Sequence, residues 1–192
     1  MPQGYLSEPR LSDSDPVNAG YQTLVDATSA YLTDEGLGRL DKAFIFGRDA
    51  HDGQRRDSGE PYFTHPLAVA ILLADMKLDA DTLITALLHD TVEDCDVSLA
   101  EIGKIFGEEV AELVNGVTKL SQIELKSIDT KQAENFRKFV LAVGRDIRVL
   151  LVKLADRTHN MQTLNAVQKD ERRWRIANET MEIYAPLAER MG

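Results

Sequence analysis

The sequence predicts an all-α bundle, and three observations carry that expectation. Apolar residues recur at helical rather than alternating spacing, strand signals are scarce, and 192 residues with 43% hydrophobic content suffice for one compact core. Residues 1–17 are polar, rich in Ser, Asp and Pro and without periodicity, so they read as a disordered tail ahead of a folded domain over 18–192. Leu24, Ala27, Thr28 and Tyr31, then Leu37, Leu40 and Phe44, mark two opening helices. Residues 52–64, DGQRRDSGEPYFT, form a loop, because Gly53, Gly59 and Pro61 break helical geometry and Pro61 biases Glu60 toward an extended backbone. Helices follow over 65–76, 81–92, 98–106, where Ser98 and Glu101 match a capping box, and 108–120. Three more are expected over 131–143, 146–163 and 170–190. The total is eight or nine helices with no internal repeat. The last keeps its periodic apolar residues (Ile176, Met181, Tyr184, Leu187, Met191) up to Gly192, so the chain is expected to belong to a longer protein.

Composition narrows the function. With 22 Lys+Arg against 32 Asp+Glu, the formal charge is −10, which disfavours direct binding of nucleic acid while leaving a small phosphorylated ligand open. The single cysteine, Cys95, excludes an internal disulfide and fits a reducing, cytoplasmic setting. The longest apolar run, LAVAILLA from Leu67 to Ala74, is too short to span a bilayer, and the N-terminus lacks a basic segment followed by an apolar one. No membrane role is expected.

Chemistry concentrates in two segments. On a helix, Leu83, Ile84, Leu87, Leu88 and Thr91 make one stripe and Ala86, His89, Asp90 and Glu93 another, so ionisable groups share a face. His89 and Asp90 offer a nitrogen and an oxygen to one cation, with Glu93 and Asp94 within reach of a bound water; a solvated polar helix end is the competing reading. Residues 147–155, IRVLLVKLA, are apolar almost all round and run into Asp156, a carboxylate that needs a partner: Lys153, Arg157 or a metal. His65, where the loop enters a helix, either faces inward or caps that helix. Two His and two Asp suit Mn, Fe, Co or Zn better than Ca or Mg, and such an ion with a nearby carboxylate base is a phosphohydrolase design. No GxxxxGK[ST], GxGxxG, HExxH or GxSxG motif competes, and Cys95 has no nucleophile motif around it. Arg55, Arg56, Lys119, Arg148, Lys153 and Arg157 cluster near these segments; together they would select a compact polyanion, while for any single arginine surface solubility is the competing and favoured reading.

Taken together, HDGQRRDSGEPY at 51–62, His65-Pro66, LLHDTVED at 87–94, VTKL at 117–120, KLADRTHNM at 153–161 and ETMEIYAPLAERMG at 179–192 resemble the HD hydrolase domain of the Rel/SpoT family of alarmone enzymes. The resemblance runs from about Leu37 to the C-terminus. It implies an all-α HD phosphohydrolase bundle that uses Mn2+ to cleave the 3′-pyrophosphate from ppGpp or pppGpp, leaving GDP or GTP, in the stringent response. By motif, His65, His89, Asp90 and Asp156 match the metal ligands. Glu93 and Asp94 match the pair that orients and deprotonates water, and Arg56, Ser58, Asn160 and Thr163 match positions that hold the guanine nucleotide. The intact HDTVED implies that hydrolysis is retained, and the family's synthetase and regulatory domains are expected elsewhere in a parent protein. Asp57 stands where many relatives have Lys or a small polar residue, and Gln162 where HNMRT is usual; both bear on substrate affinity rather than metal binding. The alternatives are an HD phosphohydrolase for another nucleotide, such as a deoxynucleotide or NADPH, and a non-catalytic alarmone-sensing module.

Overall fold

Helix starts are set locally by short polar side chains that accept otherwise unpaired amides. The computed structural model describes residues 15–126 and 146–191; the helix expected over 131–143 and the first fourteen residues lie outside them. Asp15 accepts from the Val17 amide at 2.9 Å with Pro16 in the first helical position, and α1 spans Pro16–Thr28. Helical order therefore begins at Pro16, inside the segment read as a tail, and Val17 is buried. Thr33 caps α2 (Asp34–Ala50), Asp79 caps α4 (Ala80–Leu88), and Ser98 caps α6 (Leu99–Phe106) by accepting from the Glu101 amide at 3.2 Å, as the sequence predicts. Asp146 caps α8 (Ile147–Gln162). Between them lie α3 (Thr64–Asp75), α5 (Thr91–Asp94) and α7 (Glu108–Lys126). After α8 come a 3₁₀ turn (Leu164–Ala166), α9 (Asp170–Glu179), a π-helical turn (Thr180–Tyr184) and α10 (Ala185–Met191). Among the described residues the only β pairing is an isolated antiparallel bridge between Arg55 and Pro61. No helix among them is long and apolar enough to cross a membrane.

The core is organised around α3 and α4. Every residue of α4 from Thr82 to Leu88 is buried, and α3 buries Leu67, Val69, Ala70, Leu73 and Ala74. A helix apolar on all sides must be surrounded. Accordingly, α3 packs on α1, α4 and α8, and α4 packs on α2, α7 and α8 as well. The stretch 147–155 is central as expected, with Val149, Leu150 and Val152 buried.

Two elements differ from expectation. The helix expected over 81–92 stops at Leu88, because side chains take over its last carbonyls: His89 Nδ1 bonds Ala86 O at 2.8 Å and Thr91 Oγ1 donates to Leu88 O at 2.7 Å. Asp90 sits at φ −93°, ψ −9°, and α5 restarts on its carbonyl. His89, Asp90 and Glu93 thus do not share one continuous helical face. The terminal helix is also interrupted, since Pro186 has no amide for the Glu182 carbonyl and its ring crowds that group, so the preceding turn widens to the π form.

Close approach of α2 to the end of α4 requires glycine. A Cβ on Gly47 would lie 2.6 Å from Phe63 Cε2 and 3.0 Å from the Leu87 carbonyl, whereas one on Gly38 meets nothing within 4 Å. Gly47→Ala should destabilise the chain by about 1–3 kcal/mol, read as a lower urea midpoint at unchanged slope. Gly38→Ala, in the same helix, should stabilise it by about 0.5–1 kcal/mol.

Candidate metal centre

Three elements deliver the ionisable groups to one place. His65 comes from the first turn of α3, His89 and Asp90 from the turn that ends α4, and Asp156 from the third turn of α8. The capping alternative for His65 does not hold, because α3 has no side-chain cap and the imidazole points inward. His65 Nε2 lies 3.1 Å from Asp156 Oδ1 and 3.8 Å from Asp90 Oδ2, and His89 Nε2 lies 3.0 Å from Asp90 Oδ1. One ligand atom each from His65, His89 and Asp156 falls within 4.8 Å of the others, and all three residues are buried.

The tautomer of His89 decides what this pocket wants. Its Nδ1 bonds the Ala86 carbonyl, which only accepts, so Nδ1 carries a proton and, in the neutral ring, Nε2 is the nitrogen left to present a lone pair. That Nε2 is buried without a hydrogen-bond partner, and the atom facing it, Asp90 Oδ1, is another acceptor. Two acceptors opposed in a water-poor interior call for a cation between them. Two imidazoles and two carboxylates are a donor set for a borderline divalent ion. A metal therefore fits these residues.

The surroundings keep the donors in ligating form. Burial would raise the Asp156 carboxyl, but Lys153, with Nζ 2.8 Å from Oδ2, acts together with the neighbouring His65 and His89 to hold the group well below the usual range. The same ammonium donates to Ser121 Oγ at 3.0 Å, and Asn160 Nδ2 donates to Asp156 Oδ1 at 2.6 Å. Burial lowers His65 despite the adjacent Asp156, so the ring is neutral near pH 7. Its Nδ1 lies 2.7 Å from His159 Nδ1, and burial together with His65 and Arg56 lowers His159 to about 4. Glu93 is exposed as a residue, yet its carboxyl is raised, partial desolvation outweighing the attraction of Lys153. A carboxylate raised in this way is a better proton acceptor near neutral pH.

The remaining expected residues occupy the rim. Asp94 takes a hydrogen bond from the Tyr62 hydroxyl at 3.0 Å, and the same hydroxyl is 2.9 Å from Asp90 Oδ2. Arg56 donates from one guanidinium nitrogen to Thr163 Oγ1 at 3.2 Å, while its other terminal nitrogen is buried with no hydrogen-bond partner. Ser58 is exposed at the tip of the loop. Asn160, matched to nucleotide binding, donates from its amide to Asp156. Asp57 pairs with Arg172 on α9 at 3.1 Å. Of the partners weighed for Asp156, Lys153 is taken, whereas Arg157 bonds Glu179 at 3.1 Å and lies over the Tyr184 ring. Sequence reasoning assigned no role to Tyr62 or His159, whose contacts join residues 28 and 94 positions apart.

A family model described as "HD domain" matches residues 43–192. The chain belongs to this family. An HD hydrolase domain implies a divalent metal, in agreement with the donor set of His65, His89 and Asp156. The HD domain is 52% identical over 172 residues to the bifunctional (p)ppGpp synthase/hydrolase SpoT of Escherichia coli K12, covering 90% of this chain and 24% of that protein. It is 54% identical to the guanosine-3′,5′-bis(diphosphate) 3′-pyrophosphohydrolase of Vibrio cholerae, again over 90% of this chain and 24% of that protein. The chain thus spans about a quarter of the length of these relatives. A solved structure, described as a metazoan ortholog of SpoT that hydrolyzes ppGpp and plays a role in starvation responses, superposes with a TM-score of 0.54 at 30% identity, covering 74% of this chain and 79% of that one. The all-α HD fold expected from the sequence is the fold observed.

The depressed histidines fix a pH dependence. His159 titrates at about 4 in the folded chain against 6.5 for an unperturbed imidazole, so between these values the unfolded chain binds more protons. The stability that this histidine contributes to the metal-free HD domain is therefore complete above the unfolded value and lost as pH falls toward the folded one. Urea unfolding should show a lower midpoint at about pH 5 than at about pH 7.5.

Proposed function

We propose that this HD domain is a Mn2+-dependent hydrolase that removes the 3′-pyrophosphate from ppGpp or pppGpp, releasing pyrophosphate and GDP or GTP. The observation that carries the reading is the unpaired, buried Nε2 of His89 facing Asp90 Oδ1, with Glu93 and Asp94 one turn further on. The names of its relatives in Escherichia coli and Vibrio cholerae supply the substrate.

His65, His89, Asp90 and Asp156 hold the ion, which when bound acidifies water and polarises phosphoryl oxygens. Glu93, raised by partial desolvation, accepts the proton of the attacking water, and Asp94 fixes the direction of approach. Lys153 keeps Asp156 ionised throughout. Arg56 turns its unpaired nitrogen to a substrate phosphate while Thr163 holds the other arm of the guanidinium, and Ser58 contacts the nucleotide from the loop tip. Asn160 contributes by orienting Asp156. The lone cysteine is in keeping with a cytoplasmic enzyme.

The purified chain with Mn2+ should release pyrophosphate from ppGpp and not from dGTP or NADPH, and EDTA should abolish the release. Absence of release with Mn2+ bound, or indifference to chelator, would overturn the proposal. His89→Ala and Asp156→Ala should lose bound Mn2+ and turnover together. Glu93→Gln should keep the ion and lose turnover by about 10²–10⁴-fold, the usual contribution of a general base. Mn2+ stoichiometry measured beside turnover separates the two classes.

A further inference from the structure

The loop between α2 and α3 grips Asp94 at two points. Tyr62 Oη is 3.0 Å from the Asp94 carboxylate, and Gln54 Nε2 donates to the Asp94 backbone carbonyl at 3.0 Å. Asp94 closes a helix of only four residues, followed by Cys95 in an extended conformation, so α5 has little stability of its own. The gripping side chains are themselves fixed. His51 Nδ1 lies 2.9 Å from Gln54 Oε1, which turns the Gln54 NH2 toward Asp94, and the His51 ring stacks on Tyr62 with centroids 4.8 Å apart. The Tyr62 amide donates to the Gln54 carbonyl at 2.9 Å, closing the loop into a hairpin that also contains Arg56 and Ser58.

We infer that Tyr62 and Gln54 are positioning residues that hold Asp94 over the metal centre, and that the hairpin carrying the nucleotide contacts is the same piece of chain that aims the acid pair. This rests on the proposed role of Asp94 in guiding water. A free Asp94 side chain at the end of a four-residue helix samples several rotamers; the Tyr62 hydroxyl selects the one that also places its oxygen beside Asp90, to which Tyr62 lies 2.9 Å away. The Gln54 bond prevents the backbone from swinging out with it. Tyr62 and Gln54 therefore act on turnover through Asp94 and not on nucleotide affinity.

The test is a double-mutant cycle at saturating Mn2+ with ppGpp. Tyr62→Phe keeps the stack on His51 and removes the hydroxyl; kcat should fall about 10–100-fold, the usual effect of losing an orienting partner, with KM within about twofold. Added to Asp94→Asn it should cause little further loss. Gln54→Met should behave the same way and, in the metal-free chain, should speed hydrogen exchange of the amides of residues 94–96. Unchanged kcat in both single variants, or an equal further loss on the Asp94→Asn background, would overturn the inference. If Tyr62→Phe fails to fold, the Gln54→Met arm decides by the same criteria. Full turnover in Asp94→Asn would instead remove the underlying role of Asp94, and Mn2+-dependent pyrophosphate release by the unmodified chain tells that apart from failure of the whole hydrolase reading.

Discussion

The hydrogen bond from His89 Nδ1 to the Ala86 carbonyl does two things at once, and much of the site follows from them. By taking a carbonyl that helix α4 would otherwise use internally, it helps end the helix at Leu88 and turns Asp90 back toward the pocket. By fixing the tautomer of the neutral ring, it leaves Nε2 as the buried nitrogen that faces the pocket. Burying an unpaired acceptor costs roughly 1–3 kcal/mol. The surrounding core of α3, α4 and α8 keeps the arrangement in place, with Leu87 and Leu88 fully buried beside it.

Charge balance sets the second constraint. Asp90, Asp94, Glu93 and Asp156 converge on a small volume, and Lys153, on the same helix as Asp156, is the buried cation that answers them. Its ammonium bridges Asp156 and Ser121, linking α8 to α7. The neutral imidazoles of His65 and His159 add no positive charge near pH 7, so the pocket retains its attraction for a divalent ion.

Much of this was legible in the sequence, for identifiable reasons. Helical periodicity and caps such as Ser98 are local, so the order of elements could be read directly. The residues expected to hold the metal lie in short motifs that bring their own chemistry, and the HD family match implies a divalent metal. What could not be read was the break at Leu88: it depends on the His89 and Thr91 side chains outcompeting a helix that an uninterrupted apolar stripe would continue. The role of Tyr62 was equally hidden, since its partners Asp90 and Asp94 lie 28 and 32 residues away. The bond from the Asn160 amide to Asp156, one helical turn away, was likewise not read from the sequence, which matched Asn160 to the nucleotide instead. The π turn needed Pro186 to be weighed against a strong helical pattern.

Arg56 holds a further consequence. One of its terminal nitrogens is anchored on Thr163, and the other is already shielded from solvent with nothing bonded to it. The hydration that a surface arginine gives up on meeting an anion has here been removed in folding. Mobile ions screen exposed charges far more strongly than buried ones, so an anion contact at this nitrogen keeps its strength as ionic strength rises, on a protein whose net charge of −10 otherwise repels anions most when salt is low.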